Sequence, residues 1–205
     1  MKIVDVVQGT EEWLECRTGI PTASNFSKLV TTQGKLSKSL NNYALQLASE
    51  LLVDELEESF RSEYMDIGNE REGDAVAAYQ EATLTVVDRA GFMTCGSYGY
   101  SPDGLVGTDG LIEIKCPKQN THTKYLANKK VPTAYIQQVQ GGLYVSGRQW
   151  CDFVSYNPDF KEGKKLLIVR AYRDEAFIKE LSEGIKQVIE VRDSFIKKIE
   201  EVMMT

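Results

Sequence analysis

The sequence predicts an α/β fold in one domain over residues 1–205. Hydrophobic residues make up 42% of the chain, which is enough to form a core at this length. Apolar stripes with helical spacing recur along the chain, and short strand patterns lie between them. No internal repeat, low-complexity segment or long linker divides the sequence. These observations favour helices and strands around a single core.

The N-terminal segment carries two helix starts. Thr10 has the character of an N-cap for a short helix with Trp13, and Ser24 has that of a cap for a helix with Phe26. The free N–H groups of a helix N-terminus suit a phosphate. These residues alone favour a simpler interpretation, in which Trp13 is a core residue, Ser24 is only a cap and Arg17 lies on the surface.

Two amphipathic helices are predicted next, at Ser39–Glu55 and Ile67–Ala82. The second begins with several acidic residues, among them Glu70 and Glu72. Acidic side chains interact favourably with the positive end of a helix dipole, so their position there needs no catalytic explanation.

The segment Tyr98–Lys115 predicts a β-hairpin, because apolar strand residues flank Asp109-Gly110. The period of two in a strand puts Glu113 and Lys115 on one face, and Asp103 enters from the start of the hairpin. Two carboxylates and a lysine at one place suit Mg²⁺ or Mn²⁺ with an activated water. Taken alone, the triplet E-I-K favours a surface hairpin with a chance Glu-x-Lys pair, but its surroundings reverse that preference.

A further helix is predicted at Thr133–Val145. Gln137, Gln140 and Tyr144 share one of its faces, since they are three, four and seven residues apart. Gly141-Gly142 lies inside this helix, where each glycine costs up to about 1 kcal/mol relative to alanine. That cost predicts the close approach of another backbone, of either a strand or DNA.

The rest of the pattern consists of short strands and one long helix. The predicted strands lie at residues 84–87, 91–95, 150–156 and 165–171. The last element is a charged amphipathic helix at Asp174–Met203. Packing of this helix on the body is favoured, with a partner-binding surface as the alternative.

The charges are distributed unevenly along the chain, whose net charge is −6. Residues 16–49 contain no Asp or Glu, and neither do residues 114–151. The basic residues of these two windows are Arg17, Lys28, Lys35, Lys38, Lys115, Lys118, Lys124, Lys129, Lys130 and Arg148. They predict two cationic surfaces on an otherwise acidic body. A chance gap in the acids is the alternative.

The single histidine, His122, excludes several enzyme classes. Histidine-metal nucleases, HD-type phosphohydrolases, H-E-x-x-H proteases and Ser-His-Asp hydrolases all need a histidine in a particular partnership. The polar run around His122 favours a loop. No stretch of eighteen apolar residues occurs, and the first residues lack a signal-peptide profile. We therefore expect a soluble cytoplasmic protein with no membrane partner.

Three motifs together resemble a known nuclease family. Pro102-Asp103, nine intervening residues and Glu113-Ile114-Lys115 resemble the PD-(D/E)xK motif. The form S-P-D-G…E-I-K-C-P, the Q-x-x-x-Y of Gln140–Tyr144 and the W-x3-R-x-G-x2-T-A-S that begins at Trp13 are similar to the lambda-exonuclease, or YqaJ-type viral recombinase, family. This resemblance covers about residues 13–158 and implies a mixed central sheet flanked by helices.

The resemblance also implies a function for the single domain. It implies a Mg²⁺-dependent 5′-to-3′ exodeoxyribonuclease at duplex DNA ends, with Mn²⁺ able to substitute and two ions at each site. Such an enzyme releases mononucleotides and leaves 3′ overhangs for a single-strand annealing protein. The resemblance implies assembly as a homotrimeric ring around the duplex, and a location in the host bacterial cytoplasm if a phage or prophage encodes the chain. A restriction-type or junction-resolving endonuclease and a non-catalytic DNA-end-binding scaffold remain the alternatives.

The resemblance implies site residues as well. Asp103, Glu113 and the Ile114 carbonyl would hold the metal, Lys115 would position or help deprotonate the water, and Glu72 would be a further active-site acid, with Glu70 as the fallback. Arg17, Thr22 and Ser24 would form a pocket for the 5′-phosphate. The full set of implied DNA-binding residues is Arg17, Thr22, Ser24, Ser101, Gln137, Gln140 and Tyr144.

Overall fold

The computed structural model describes residues 1–54 and 69–204. Its strands are β1 (Lys2–Val4), β2 (Val87–Asp88), β3 (Phe92–Thr94), β4 (Gly99–Tyr100), β5 (Gly104–Val106), β6 (Gly110–Lys115), β7 (Trp150–Tyr156) and β8 (Leu166–Tyr172). Its α-helices are α1 (Glu11–Glu15), α2 (Leu40–Leu52), α3 (Asn69–Thr83), α4 (Gln119–Asn128), α5 (Ile136–Ser146) and α6 (Glu175–Met203). Two 3₁₀ helices span Ala23–Lys28 and Thr133–Tyr135.

Within the described residues, a five-stranded sheet has the order β2-β5-β6-β7-β8. The strands β6 and β7 pair in parallel, whereas the other neighbouring pairs are antiparallel. A smaller antiparallel sheet has the order β1-β3-β4. The predicted α/β class, with a mixed central sheet flanked by helices, is therefore confirmed.

The two faces of β6 point into separate apolar clusters. Leu111 lies in the larger cluster, which the first 3₁₀ helix, α2, α5 and α6 also line. Ile112 and Ile114 lie in a second cluster with Ala75 and Tyr79 of α3. Alternation along the strand thus places α3 on one side of the sheet, and the first 3₁₀ helix, α2, α5 and α6 on the opposite side. No helix in residues 1–54 or 69–204 has the length and apolarity needed to cross a membrane.

The central hairpin is confirmed, but its turn differs from the prediction. Val106 pairs with Gly110, so the chain reverses through Gly107–Asp109 rather than around Asp109-Gly110. Gly107 takes the left-handed conformation, with φ of +53°. Gly110 instead lies within β6, where an added Cβ would come within 2.2 Å of the Trp150 ring. A glycine is required there by packing rather than by the turn.

Several predicted element bounds shift in the structure. The helix predicted to end at Glu55 ends at Leu52, and Leu51 and Leu52 at its end are exposed. Glu55 and Ile67 lie outside the described residues, and α3 is described from Asn69. The strand predicted at 84–87 is displaced to β2, because Leu84 ends α3 in a left-handed conformation with φ of +55°.

The loop prediction for His122 was wrong. His122 lies on α4 and is fully buried. Its Nδ1 lies 2.8 Å from the Ser155 hydroxyl, and its Nε2 lies 2.9 Å from the Lys164 carbonyl. Since a carbonyl oxygen only accepts hydrogen bonds, Nε2 is the ring nitrogen that carries a proton and donates to Lys164. His122 therefore joins α4 to β7 and to the β7–β8 connection.

Candidate active site

Asp103 and Glu113 face each other across β5 and β6. Gly104 pairs with Ile112, and one further step of this antiparallel register puts Asp103 opposite Glu113. Residues directly opposite in such a pair project to the same face. The backbone N–H of Ile114 donates to Oδ2 of Asp103 over 2.6 Å, which fixes that carboxylate against β6. Glu113 is fully buried, whereas Asp103 is half-buried.

Lys115 completes this group of charges. Its Nζ lies 2.6 Å from Oε1 of Glu113. Burial alone would lower the pKa of Lys115, but the negative charges of Glu113 and Asp103 raise it above the usual value. The Lys115 ammonium also lies 5.3 Å from the centre of the Tyr135 ring. The lysine is therefore a cation held between a carboxylate and an aromatic face.

Glu72 lies close enough to these groups to interact with them electrostatically. Burial raises its pKa, the positive charges of Lys115 and Arg89 oppose this shift, and the charge of Glu113 adds to it. A contact of 3.7 Å between the Cys116 thiol and the Arg71 carbonyl joins the start of α3 to the end of β6. Glu72 thus lies within electrostatic range of Glu113 and Lys115, and the side chain of the fallback residue Glu70 is not among those described.

The charge at Asp103 fits a cation site. Burial raises the pKa of Asp103 well above its usual value, and the neighbouring Glu113 charge raises it further. A divalent cation between the two carboxylates would relieve both effects. The N–H and C=O of one strand residue point to the same side. Because the Ile114 N–H points to Asp103, the Ile114 carbonyl oxygen points to that side as well.

The donor set is small but chemically suitable. Among the described residues, no group of three or more His, Cys, Asp or Glu side chains could hold a metal ion. The available donors are two carboxylates and one backbone carbonyl, all oxygen. Mg²⁺ prefers oxygen and is often bound by one or two carboxylates together with substrate phosphate and water. The residues present therefore fit a hard divalent cation that completes its coordination with substrate.

A second polar cluster surrounds Arg17. Its Nη1 donates to the Ser101 hydroxyl over 2.8 Å, and its Nη2 lies 3.4 Å from the hydroxyls of both Thr22 and Ser24. The guanidinium carbon lies 4.2 Å from the centre of the Trp13 ring, and the Trp13 indole N–H donates to the same Ser101 hydroxyl over 2.8 Å. Arg17 is largely buried, with 9% of its surface exposed. The surface interpretation of Arg17 was therefore wrong.

The role of Ser24 as a helix cap was also wrong. Thr22 is the residue before the 3₁₀ helix Ala23–Lys28, and its side chain makes no capping hydrogen bond. Ser24 lies inside this helix, with its side chain exposed beside Arg17. By contrast, Thr10 caps α1 as predicted, accepting a hydrogen bond from the Trp13 N–H over 3.4 Å.

The predicted residues of α5 contact other parts of the molecule. Gln137 donates to the Val30 carbonyl over 3.1 Å. Gln140 donates to the Tyr172 carbonyl and accepts from the Asp174 N–H, each over 2.9 Å. Both glutamines are buried, so this conformation does not present them to DNA. Their predicted DNA contact stays a prediction, since their observed bonds fasten α5 to its neighbours.

Tyr144 and the paired glycines also serve the packing of α5. The Tyr144 ring stacks on Tyr98 at 5.5 Å between ring centres. An added Cβ at Gly141 would come within 2.4 Å of the Phe26 ring, and one at Gly142 within 2.8 Å of the Tyr100 ring. The predicted close approach at these glycines is therefore real, but aromatic side chains make it rather than a backbone.

Two tyrosines of the site were missed by the sequence analysis. The Tyr100 hydroxyl donates to Oε2 of Glu113 over 3.2 Å, and the Tyr135 ring lies beneath Lys115. Burial raises the pKa of Tyr100 well above its usual value, and the Glu113 charge raises it further, so the phenol is a donor. Tyr100 precedes Asp103 by only three residues, which is the one local signal that could have indicated it.

Comparisons with known proteins identify the family and the fold of this chain. The family model of the YqaJ-like viral recombinase domain matches residues 12–149. An alkaline exonuclease from Laribacter hongkongensis, LHK-Exo, is 34% identical with a TM-score of 0.83, covering 95% of this chain and 98% of its own. LHK-Exo in complex with dAMP is 33% identical with a TM-score of 0.81 over the same shares of the two chains.

A phage related exonuclease from Haemophilus somnus 129PT shares the fold, with 15% identity, a TM-score of 0.70 and coverage of 88% of this chain and 96% of that one. The chain matches none of the curated proteins. The family model spans most of the chain, and LHK-Exo resembles it over nearly its whole length. The chain therefore belongs to the YqaJ-like viral recombinase family and has the fold of the alkaline exonucleases.

Proposed function

We propose that this protein is a divalent-metal-dependent exodeoxyribonuclease that degrades the 5′-terminated strand of duplex DNA ends. The proposal rests on one observation above all. Ser101 belongs to the Arg17 cluster and precedes Asp103 by two residues, so a cluster suited to a phosphate lies directly beside two carboxylates suited to a cation. Recognition of a chain end and hydrolysis of its first linkage would then occur side by side.

The carboxylate group supports phosphodiester hydrolysis. Mg²⁺ held by Asp103, Glu113 and the Ile114 carbonyl would supply Lewis acidity, polarising the phosphate and lowering the pKa of the attacking water. One or two such ions fit the proposal, with Mn²⁺ as a substitute. Lys115 offsets the negative charge that develops on the phosphate and helps to orient the water. Glu72 adds a further acidic side chain at the edge of the site.

The Arg17 cluster supports a preference for a terminal 5′-phosphate. A planar guanidinium with three hydroxyls around it matches a phosphate in both charge and hydrogen-bonding capacity. A terminal phosphate carries more negative charge than an internal diester, so the cluster favours chain ends. Holding the terminal phosphate would orient the strand for release of one mononucleotide. The dAMP bound in the LHK-Exo complex is a ligand of this chemical class.

The two acid-free windows support a DNA-binding surface. The second window begins at Ile114 in β6 and continues through α4 and α5, and the first contains Arg17 and the 3₁₀ helix Ala23–Lys28. These windows meet in the structure, because Gly141 of α5 packs on Phe26 of the 3₁₀ helix. The exposed lysines Lys118, Lys124 and Lys129 would contact phosphates along the duplex.

We further propose that the chain acts as one domain over residues 1–205, assembles as a homotrimeric ring and passes its 3′ overhang to a single-strand annealing protein. Cationic windows on an acidic body suit a DNA-lined channel with a repulsive exterior. Light scattering of the purified protein should give about three times the 23.0 kDa chain mass. A strict monomer that degrades long DNA processively would contradict the ring.

One experiment tests the proposed activity against its alternatives. Purified protein is incubated with linear duplex DNA or with covalently closed circular duplex, each with and without Mg²⁺. We expect acid-soluble nucleotide from the linear duplex only, and only with the metal. Cleavage of the closed circle would favour an endonuclease instead. Binding of linear ends without any release of nucleotide would favour a non-catalytic scaffold.

A further inference from the structure

Both carboxylate oxygens of Glu113 are held by a donor. Lys115 holds Oε1 over 2.6 Å, and the Tyr100 hydroxyl holds Oε2 over 3.2 Å. Glu113 is 0% exposed and Tyr100 is 1% exposed. Water therefore cannot replace the tyrosine as a donor without opening the core. The two bonds together define the plane of the carboxylate.

The position of the Tyr100 ring is set in turn by α5. A Cβ built on Gly142 would lie 2.8 Å from both Cε1 and Cζ of that ring, which real Cβ atoms do not tolerate. Only glycine allows the helix and the ring to approach this closely. The phenol oxygen is attached to Cζ, so a displacement of the ring at this point also displaces the donor to Glu113.

We propose that Tyr100 is a positioning residue that orients Glu113 for metal binding, and that Gly142 is the part of α5 that holds Tyr100 in place. This inference rests on the proposed function, in which Glu113 binds the catalytic metal. A carboxylate with two fixed neighbours presents its remaining lone pairs in one orientation, so the cation meets a preorganised ligand. Mutation of a residue that hydrogen-bonds to a metal ligand typically lowers the metal affinity by roughly 10–100-fold.

The test compares Mn²⁺ binding to the wild type and to Tyr100→Phe by isothermal titration calorimetry without DNA. This substitution removes only the hydroxyl and keeps the ring against Gly142. We expect the Mn²⁺ affinity to fall about tenfold or more. Tyr79→Phe is a matched control, because the Tyr79 hydroxyl also donates to a buried carboxylate, that of Asp152, over 2.8 Å. It should lower the melting temperature and leave Mn²⁺ affinity unchanged.

A second variant tests the role of the helix. Gly142→Ala should push the Tyr100 ring aside and weaken Mn²⁺ binding by a similar factor. Because both substitutions act on the same hydrogen bond, the double variant Tyr100→Phe/Gly142→Ala should bind Mn²⁺ no more weakly than the weaker-binding single variant. Gly141→Ala is its control, since that Cβ would meet Phe26 instead. Wild-type affinity in Tyr100→Phe would overturn this inference and leave the proposed function intact. Failure of the wild type to bind Mn²⁺ at all would overturn the metal site and the inference with it.

Discussion

Replacement of Arg17 by alanine should remove most of the proposed preference for a 5′-phosphorylated end. The guanidinium lies 2.8 Å from Ser101, but its contacts with Thr22 and Ser24 are 3.4 Å long. Contacts of that length are weak, so a phosphate can replace them at little cost. A charge-assisted hydrogen bond contributes about 1.5–3 kcal/mol. One such bond lost corresponds to a drop in preference of roughly tenfold to a hundredfold.

The assay measures mononucleotide release from two duplexes that differ only in a 5′-phosphate or a 5′-hydroxyl. The ratio of the two rates is compared between variants, so an unequal folded fraction cancels. Arg170→Ala is the matched control, because Arg170 also stacks on a tryptophan, with its guanidinium carbon 3.7 Å from the Trp150 ring centre, outside the cluster. Equal wild-type rates on both ends would refute end recognition by this cluster. An unchanged ratio in Arg17→Ala would locate the recognition elsewhere.

Four further outcomes are expected. Asp103→Asn should abolish hydrolysis while leaving the melting curve near that of the wild type, and chelation of the metal should have the same effect on activity. Lys115→Met should lower kcat by about 10²–10³ with little change in KM, because the proposed role of its charge is to stabilise the transition state. Asp152→Asn should lower the free energy of unfolding in urea by about 1–3 kcal/mol, since Asp152 is buried and bonded to Arg170 and Tyr79. Burial raises the pKa of Glu50 above its ordinary value of 4.5. The stability that protonated Glu50 contributes is therefore fully present below pH 4.5 and is lost as the pH rises through the raised pKa of the folded state. Glu50→Gln should therefore flatten the dependence of urea stability on pH over that window, and an unchanged slope would contradict the burial argument.

The central hairpin and its charges could be predicted because their geometry is local. Alternation along one strand is enough to place Glu113 and Lys115 on one face, and the two paired strands bring Asp103 opposite Glu113. The contact between Tyr100 and Glu113 could not be predicted in this way. Tyr100 belongs to β4 of the smaller sheet, and no local pattern specifies how that sheet meets β6.

The helix to which a residue belongs was easier to predict than the residues that this helix contacts. Helical spacing correctly indicates that Gln140 and Gly141-Gly142 belong to one helix, but it does not indicate what that helix meets. The burial of His122 was hidden for the same reason. Its hydrogen-bond partners Ser155 and Lys164 are 33 and 42 residues away in sequence, so the polar residues around it suggest a loop.

The parallel pairing of β6 with β7 shows that the family match does not delimit a stable fragment. The match ends at residue 149, one residue before β7 begins, yet every residue of β6 pairs with β7. A fragment cut at that boundary would turn the strand with Glu113 and Lys115 into an exposed edge, whose unpaired backbone groups promote aggregation. It would also lose Arg192 of α6, which donates to the Gly19 carbonyl over 2.6 Å, two residues from Arg17. Expression and domain-grafting designs therefore need β7, β8 and α6 together with the matched region.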